Sequence, residues 1–151
     1  MSKKIKAKEL LVLPDSNEKI EKFINFLMKN KKLLAKKIFN QTLEEIKKNH
    51  PNPIVVWEQA IEHVSPNIMV KSKRIAVYQV PLEVPSRKRF FYASKWILDF
   101  VRSKKTPMYK KLAEELLAAY SGQGTSVKKK EDVHKMAEAN KAFAYLAKYV
   151  K

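Results

Sequence analysis

The sequence predicts a mainly α fold: a single domain of about six helices with a β-ribbon inserted between helices three and four. Three observations predict it. Apolar residues recur at spacings of three and four along six segments, the signature of helices that bury one face. One stretch, over about 67–84, alternates apolar and polar residues instead, which is the period of strands. Gly122 and Gly124, the only glycines, stand together directly after an apolar stripe, where a helix ends and the chain turns.

Residues 1–14 form a basic arm that leads into LPDSN, and 15–151 form the helical domain. Ile20, Phe23, Ile24, Leu27 and Met28 share one face, with Asp15 or Ser16 as N-cap, which predicts a first helix from about Glu18 to Lys29. Ala35, Ile38, Phe39, Thr42, Leu43 and Ile46 repeat the spacing up to about Lys48. There NHPNP stops it, because a residue before proline is steered out of the helical region. Pro53 after Asn52 suits a first helical position, and Trp57, Ala60, Ile61 and Val64 give a third stripe closed by Ser65 and Pro66. In the alternating stretch Tyr78, Val80, Leu82 and Val84 oppose Gln79, Pro81 and Glu83, while IMVKSKRI before them is β-branched and basic. Pro81 is tolerated because both strands of a ribbon are edges. Ser86 opens a helix carrying Phe90, Ala93, Ile97, Phe100 and Val101; Thr106 and Pro107 supply the cap and first turn of the next, with Leu112, Ala113, Leu116, Leu117 and Tyr120. A last helix, near Glu131 to Lys148, places Val133, Met136, Ala137, Asn140, Phe143, Ala144 and Ala147 on one stripe.

Charge narrows the function. A formal net charge of +17 on 151 residues is far more than an acidic small substrate needs, and it points to a polyanion or an anionic surface. No run approaches the roughly 18 apolar residues of a membrane span, and the first nine residues are too rich in lysine for a signal peptide, so the expectation is a soluble chain. The absence of cysteine excludes a disulfide framework and a thiolate metal site. Catalysis has little support. His50, His63 and His134 are scattered without zinc-ligand spacing, the pairs Glu44–Glu45 and Glu114–Glu115 read as solvated faces, and SGQG lacks the context of a phosphate-binding glycine loop. Neither an enzyme, a metal site nor a cofactor is expected. Trp57 and Trp96 lie inside helical patterns and read as core.

The cations are placed unusually. Lys31 and Lys32 precede helix two, Arg87 to Arg89 open helix four, and Lys128 to Lys130 precede helix six. A cation at the positive end of a helix dipole is unfavourable by about 0.3–1 kcal/mol. The placements make sense if a phosphate sits against each helix end, where free N–H groups and basic side chains converge on it. Lys71, Lys73 and Arg74 crowd the first strand and turn of the ribbon, which is slender enough to lie in a groove or across a junction of nucleic acid. Tyr78 either stacks on a base or packs on its neighbours.

These residues also carry a resemblance. VKKKEDVHKMAEANKAFAYL, residues 127–146, is similar almost position by position to the VKKREDTHRMAEANRAFAH stretch of the small-subunit ribosomal protein seven family of bacterial and organellar type. VLPD, KFINFLMKNKK, VKSKR, YQVPLEV and LAEELLAA extend the match from Val12 to the C-terminus. The resemblance implies a helical fold with an extended ribbon, binding to the head domain of small-subunit rRNA, nucleation of head assembly, a place near the exit tRNA site and the mRNA path, neighbouring head and platform ribosomal proteins, and no enzymatic activity. It implies RNA contacts at Lys3, Lys4 and Lys6 of the arm, which matches by charge rather than by motif, and, carried over by motif, at Lys29, Lys31 and Lys32 and at Lys71, Lys73 and Arg74. The resemblance implies further contacts at Lys128, Lys129, Lys130, His134, Lys135, Asn140 and Lys141; Arg87 and Arg89 join the RNA-binding set on their place at the start of helix four. The ribbon tip departs from the pattern: IAVYQVP stands where the family commonly has VGGATYQVP, two residues shorter and without glycine.

Two other classes share the charge. A free architectural nucleic-acid-binding helical protein would bind without any folded RNA junction. A membrane-surface protein would need an uninterrupted basic helix face, which Glu44, Glu45, Glu114, Glu115 and Glu138 break, so no membrane partner is expected. The lysine-rich, glycine-poor composition without a transit peptide favours a mitochondrial ribosome, with a bacterial cytoplasm as the alternative.

Overall fold

The computed structural model describes residues 14–72 and 79–150, with the backbone alone for 14–17. Six α-helices, α1 (Pro14–Leu27), α2 (Lys32–Lys47), α3 (Pro53–Val64), α4 (Ser86–Arg102), α5 (Met108–Tyr120) and α6 (Thr125–Ala139), are joined by β1 (Ile68–Ser72) and β2 (Gln79–Glu83) between α3 and α4 and followed by a 3₁₀ segment, Lys141–Tyr149. The order is the one the sequence predicts. Expectations for the arm, including Lys3, Lys4 and Lys6, and for Lys73, Arg74, Tyr78 and the ribbon tip lie outside the described residues.

The apolar stripes of the first five helices meet in one core. Trp57 of α3 is its centre, with edge-on rings of Phe23 at 5.6 Å, Phe39 at 6.1 Å and Phe90 at 6.2 Å. Such edge contacts add about 0.5–1.5 kcal/mol each to the burial itself. Ala60, Ala93, Ala113 and Ala119 are fully buried or nearly so, which lets the helix axes approach closely. Thr42 is buried inside α2, and its hydroxyl donates to the Ile38 carbonyl at 2.8 Å, so no polar atom is stranded there. Trp96 is half-buried against the core as expected.

The ribbon is antiparallel, pairing Ile68 with Glu83 through to Ser72 with Gln79. Opposed residues share a face, so Met69 and Lys71 lie with Leu82 and Val80, and Val80 is wholly buried. The Val84 N–H donates to the Asn67 carbonyl at 3.0 Å and extends the ladder to the ribbon root.

Several boundaries differ from the sequence expectation. Helix α1 begins at Pro14, so Asp15 and Ser16 lie within its first turn rather than at its cap; proline fits a first helical position because that N–H has no acceptor anyway. Helix α5 takes Pro107, not Thr106, at its cap position, and the Pro107 carbonyl accepts the Lys110 and Lys111 N–H groups at 3.1 Å. Helix α6 starts at Thr125, six residues before Glu131, and ends at Ala139, where Asn140 (φ −106°) passes the chain into the 3₁₀ segment that packs on β2. Met136, expected on the buried stripe, is 48% exposed.

Candidate nucleic-acid interface

The start of α4 is made by Pro85, whose φ of −58° and ψ of 147° hold the chain extended while its carbonyl accepts the N–H groups of Lys88 at 2.9 Å and Arg89 at 3.0 Å. Ser86, Arg87 and Lys88 are exposed. Arg89 turns back toward α3 and donates to Glu62 Oε1 at 3.2 Å. Across from them Lys19 and Lys22 stand one turn apart on α1, Lys22 paired with Glu18 at 3.3 Å. With Phe26, Ile61, Ser65, Phe90 and Phe91 these side chains line an open groove of about 680 Å³. Phe91 is 43% exposed and meets the Phe26 ring edge-on at 5.7 Å. The groove joins five cations and one carboxylate to exposed aromatic surface, a chemistry suited to phosphodiester and to the flat face of a base.

A second basic region is built around α6. Gly122, with φ of +77°, closes α5: its N–H donates to the Ala119 carbonyl at 2.9 Å and the Gln123 N–H to Ala118 at 2.8 Å, the paired bonds of a Schellman end. Gly124 follows with φ of +101° and occupies the cap position of α6. Behind it Glu115 is buried and accepts the Ser126 N–H at 2.9 Å. This corrects two expectations. Glu115 is not on a solvated face, unlike Glu114, which is exposed and paired with Lys111 at 3.2 Å. The N-terminus of α6 already holds a carboxylate, and Lys128, Lys129 and Lys130 project from its second turn instead of preceding it. Lys128, Lys129 and Lys135 are exposed, and Lys141 pairs with Glu138 at 3.0 Å.

The polar residues of this region serve the fold as well. His134 Nε2 accepts the Asn67 N–H at 3.1 Å, tying α6 to the ribbon. Burial, then the charge of Lys130, pushes the His134 pKa below its ordinary 6.5. Asn140 donates from Nδ2 to the Met136 carbonyl at 2.8 Å. The other histidines also sit at helix ends, His63 Nδ1 donating to the Ala119 carbonyl at 2.7 Å and His50 Nδ1 accepting the Asn52 N–H at 3.1 Å. Among the described residues no group of three His, Asp or Glu is placed to hold a metal ion, and no helix is long and apolar enough to cross a membrane.

Lys29, Lys31 and Lys32 are exposed around the α1–α2 connection, with Lys31 at the cap position of α2. Arg102 of α4 closes α1 from the other side by donating to the Leu27 carbonyl at 3.0 Å. Lys71 is exposed at the outer end of β1. From α2 to α6 no first turn carries an acidic residue.

A family model described as ribosomal protein S7p/S5e matches residues 2–141. The chain belongs to the ribosomal protein S7 family. S7-family proteins are structural and not enzymatic. The small ribosomal subunit protein uS7 of Pseudothermotoga lettingae is 48% identical over 132 residues, spanning 84% of this chain and 85% of its own. The proteins of that name from Xanthomonas oryzae pv. oryzae and Xanthomonas campestris pv. campestris are 42% and 41% identical over 152 residues, each spanning 96% of this chain and 98% of its own. These relatives are bacterial and give no support to the mitochondrial expectation; the bacterial alternative fits them.

The fold of this S7-family chain brings together residues that the sequence reading left apart. Arg87 and Arg89 share the groove with Lys19, Lys22, Phe26 and Phe91, none of which was expected to be functional. A signal existed for three of them: Lys19, Lys22 and Phe26 follow spacings of three and four, a second stripe beside the apolar one on α1. Phe91 carries no such mark. The expected contacts Lys128, Lys129, Lys130, His134, Lys135, Asn140 and Lys141 do gather on α6 and its exit, next to the ribbon on which it packs.

Proposed function

We propose that this chain is a structural constituent of the small ribosomal subunit, that it binds the head domain of small-subunit rRNA through the α1–α4 groove and the α6–ribbon region, and that it nucleates head assembly. Exit-site tRNA and mRNA lie nearby in this reading, neighbouring head and platform proteins complete its surroundings, and the compartment is the bacterial cytoplasm. The RNA-contacting set is the one read from sequence, with Lys19 and Lys22 added to it.

The observation that carries the reading is the convergence of Lys19, Lys22, Arg87, Lys88 and Arg89 on one groove at the start of α4, a helix with neither an acidic first turn nor a side-chain cap. Backbone N–H groups, cations and exposed aromatic surface then face the same space, as phosphate and base recognition require. The test is equilibrium binding of the free protein to an rRNA head fragment against salt, with duplex DNA as competitor. Engaging on the order of six phosphates gives a log-log slope of about −4 to −5, at roughly 0.7–0.9 per phosphate. Arg87→Ala with Arg89→Ala lowers both affinity and slope. Equal affinity for arbitrary duplex returns the protein to the class of free architectural binders, and a slope near zero overturns phosphate binding altogether.

A further inference from the structure

The ribbon leaves the helical domain at Asn67, and both backbone groups of that residue are engaged. Its carbonyl accepts the Val84 N–H at 3.0 Å, which closes the two strands at their base. Its N–H goes to His134 Nε2 at 3.1 Å, a side chain of α6 that is 67 residues away in sequence. On the α3 side the approach is stiff: Ser65 is extended (φ −64°, ψ 121°), its hydroxyl donates to the Ile61 carbonyl at 2.7 Å, and Pro66, whose φ is fixed by its ring, is buried. Both strands also pack on α6, and β2 on the 3₁₀ segment; at the root itself the direction of the Asn67 peptide is held by His134, which accepts its N–H.

We propose that His134 is the positioning residue of the ribbon: by accepting the Asn67 N–H it sets the angle at which the arm leaves the domain. The proposal rests on the reading of the ribbon as an RNA-anchoring arm. An acceptor at Nε2 places the neutral ring's proton on Nδ1, so one edge of the imidazole serves the fold and the other faces away from that bond. A protonated ring has no acceptor and releases Asn67. Burial keeps the ring neutral first; of the charged groups on α6, Lys128, Lys129, Lys130, Glu131, Asp132, Lys135 and Glu138, on the ribbon strands, Lys71 and Glu83, and on the other elements packed against α6, Lys130 is the one whose charge adds to it. The sign follows. The folded pKa lies below the ordinary 6.5, so the bond is fully present above 6.5 and is lost as the pH falls through the lowered folded value.

The absence of cysteine allows clean spin labelling of the full chain. Labels go on Ser72→Cys at the outer end of β1 and Lys110→Cys on α5, both exposed. Inter-label distances and Asn67 amide exchange, corrected for its intrinsic pH dependence, are read from pH 8 downward. The doubly labelled chain with His134 intact should hold a narrow distance distribution and a protected amide at high pH, then a broader distribution and roughly five- to tenfold faster exchange once His134 is protonated. His134→Gln, with an acceptor of similar reach and no titration, should stay narrow at every pH; His134→Leu should be broad at every pH. Should His134→Leu fail to fold, the contrast between wild type and His134→Gln decides alone. The His134 ring signals in the NMR spectrum mark its protonation, and the series is carried down until they titrate; equal exchange and equal distances in wild type and His134→Gln on both sides of that titration overturn the proposal. None of these readouts uses RNA, so a failure of the ribbon to bind RNA is told apart by the rRNA titration.

Discussion

Gly124 shows how a single residue decides where the basic helix begins. Its φ of +101° is strained for any L side chain, and a Cβ there would stand 3.0 Å from Glu115 Oε1 and 3.1 Å from the Ala118 Cβ. Gly122, at φ +77°, has nothing within 4 Å of the same position. Gly122→Ala should therefore cost the backbone penalty alone, about 1–2 kcal/mol. Gly124→Ala should cost at least about 1 kcal/mol more, because the added methyl overpacks the buried Glu115 carboxylate. Glu115→Ala by itself strands the Ser126 N–H and should cost about 1–3 kcal/mol. The double variant removes the clash with the carboxylate and leaves only the one with the Ala118 Cβ, so its cost should fall short of the sum. Chemical denaturation of the four proteins measures the cycle; additive costs would mean that Gly124 and Glu115 do not act as one clasp.

At the scale of the element, the helix starts separate folding from binding. Lys32 is the first residue of α2, behind Lys31 at the cap position, where no side chain caps the free N–H groups. Lys32→Glu places an anion at the positive end of the dipole and should stabilise the free protein by about 0.3–1 kcal/mol. The same change should weaken binding to the rRNA head fragment and reduce the salt slope by about 0.7–0.9, since one phosphate contact is lost. Opposite signs in thermal unfolding and in the titration are the expected outcome, and undiminished affinity removes Lys32 from the interface. Elements were legible in the sequence where an amphipathic stripe was long, as in α1 to α5, because burial of one helix face imposes its period on the residues themselves. The start of α6 was not, since it depends on a carboxylate eleven positions upstream folding back beneath Gly124. Its end was missed because the apolar spacing from Asn140 to Ala147 suits an α-helix as well as the 3₁₀ segment that forms. The groove was half legible: Arg87 and Arg89 showed by their place at a helix start, whereas Lys19 and Phe91 acquire their role only when α1 packs beside α4.

Across the whole molecule the charge balance acts on folding and binding in opposite directions. Many acidic residues are matched locally, Glu18 with Lys22, Glu45 with Lys48, Glu114 with Lys111 and Glu138 with Lys141, in exposed pairs one helical turn apart that contribute little to stability. With 32 basic and 15 acidic residues, the surplus of +17 has no internal counterpart and repels itself across a small domain. Raising salt shortens the screening length, from about 30 Å at 0.01 M to about 10 Å at 0.1 M, and relieves that repulsion. The free protein should therefore melt at a higher temperature as salt rises. Binding should move the other way, with affinity for the rRNA fragment falling roughly a thousandfold between 50 and 200 mM salt for on the order of six phosphate contacts. Thermal unfolding of the free chain and titration of the fragment over one salt series read both slopes. If added salt lowered the melting temperature, attractive pairs would dominate the free surface, and the excess of lysine would have to be explained by something other than a polyanionic partner.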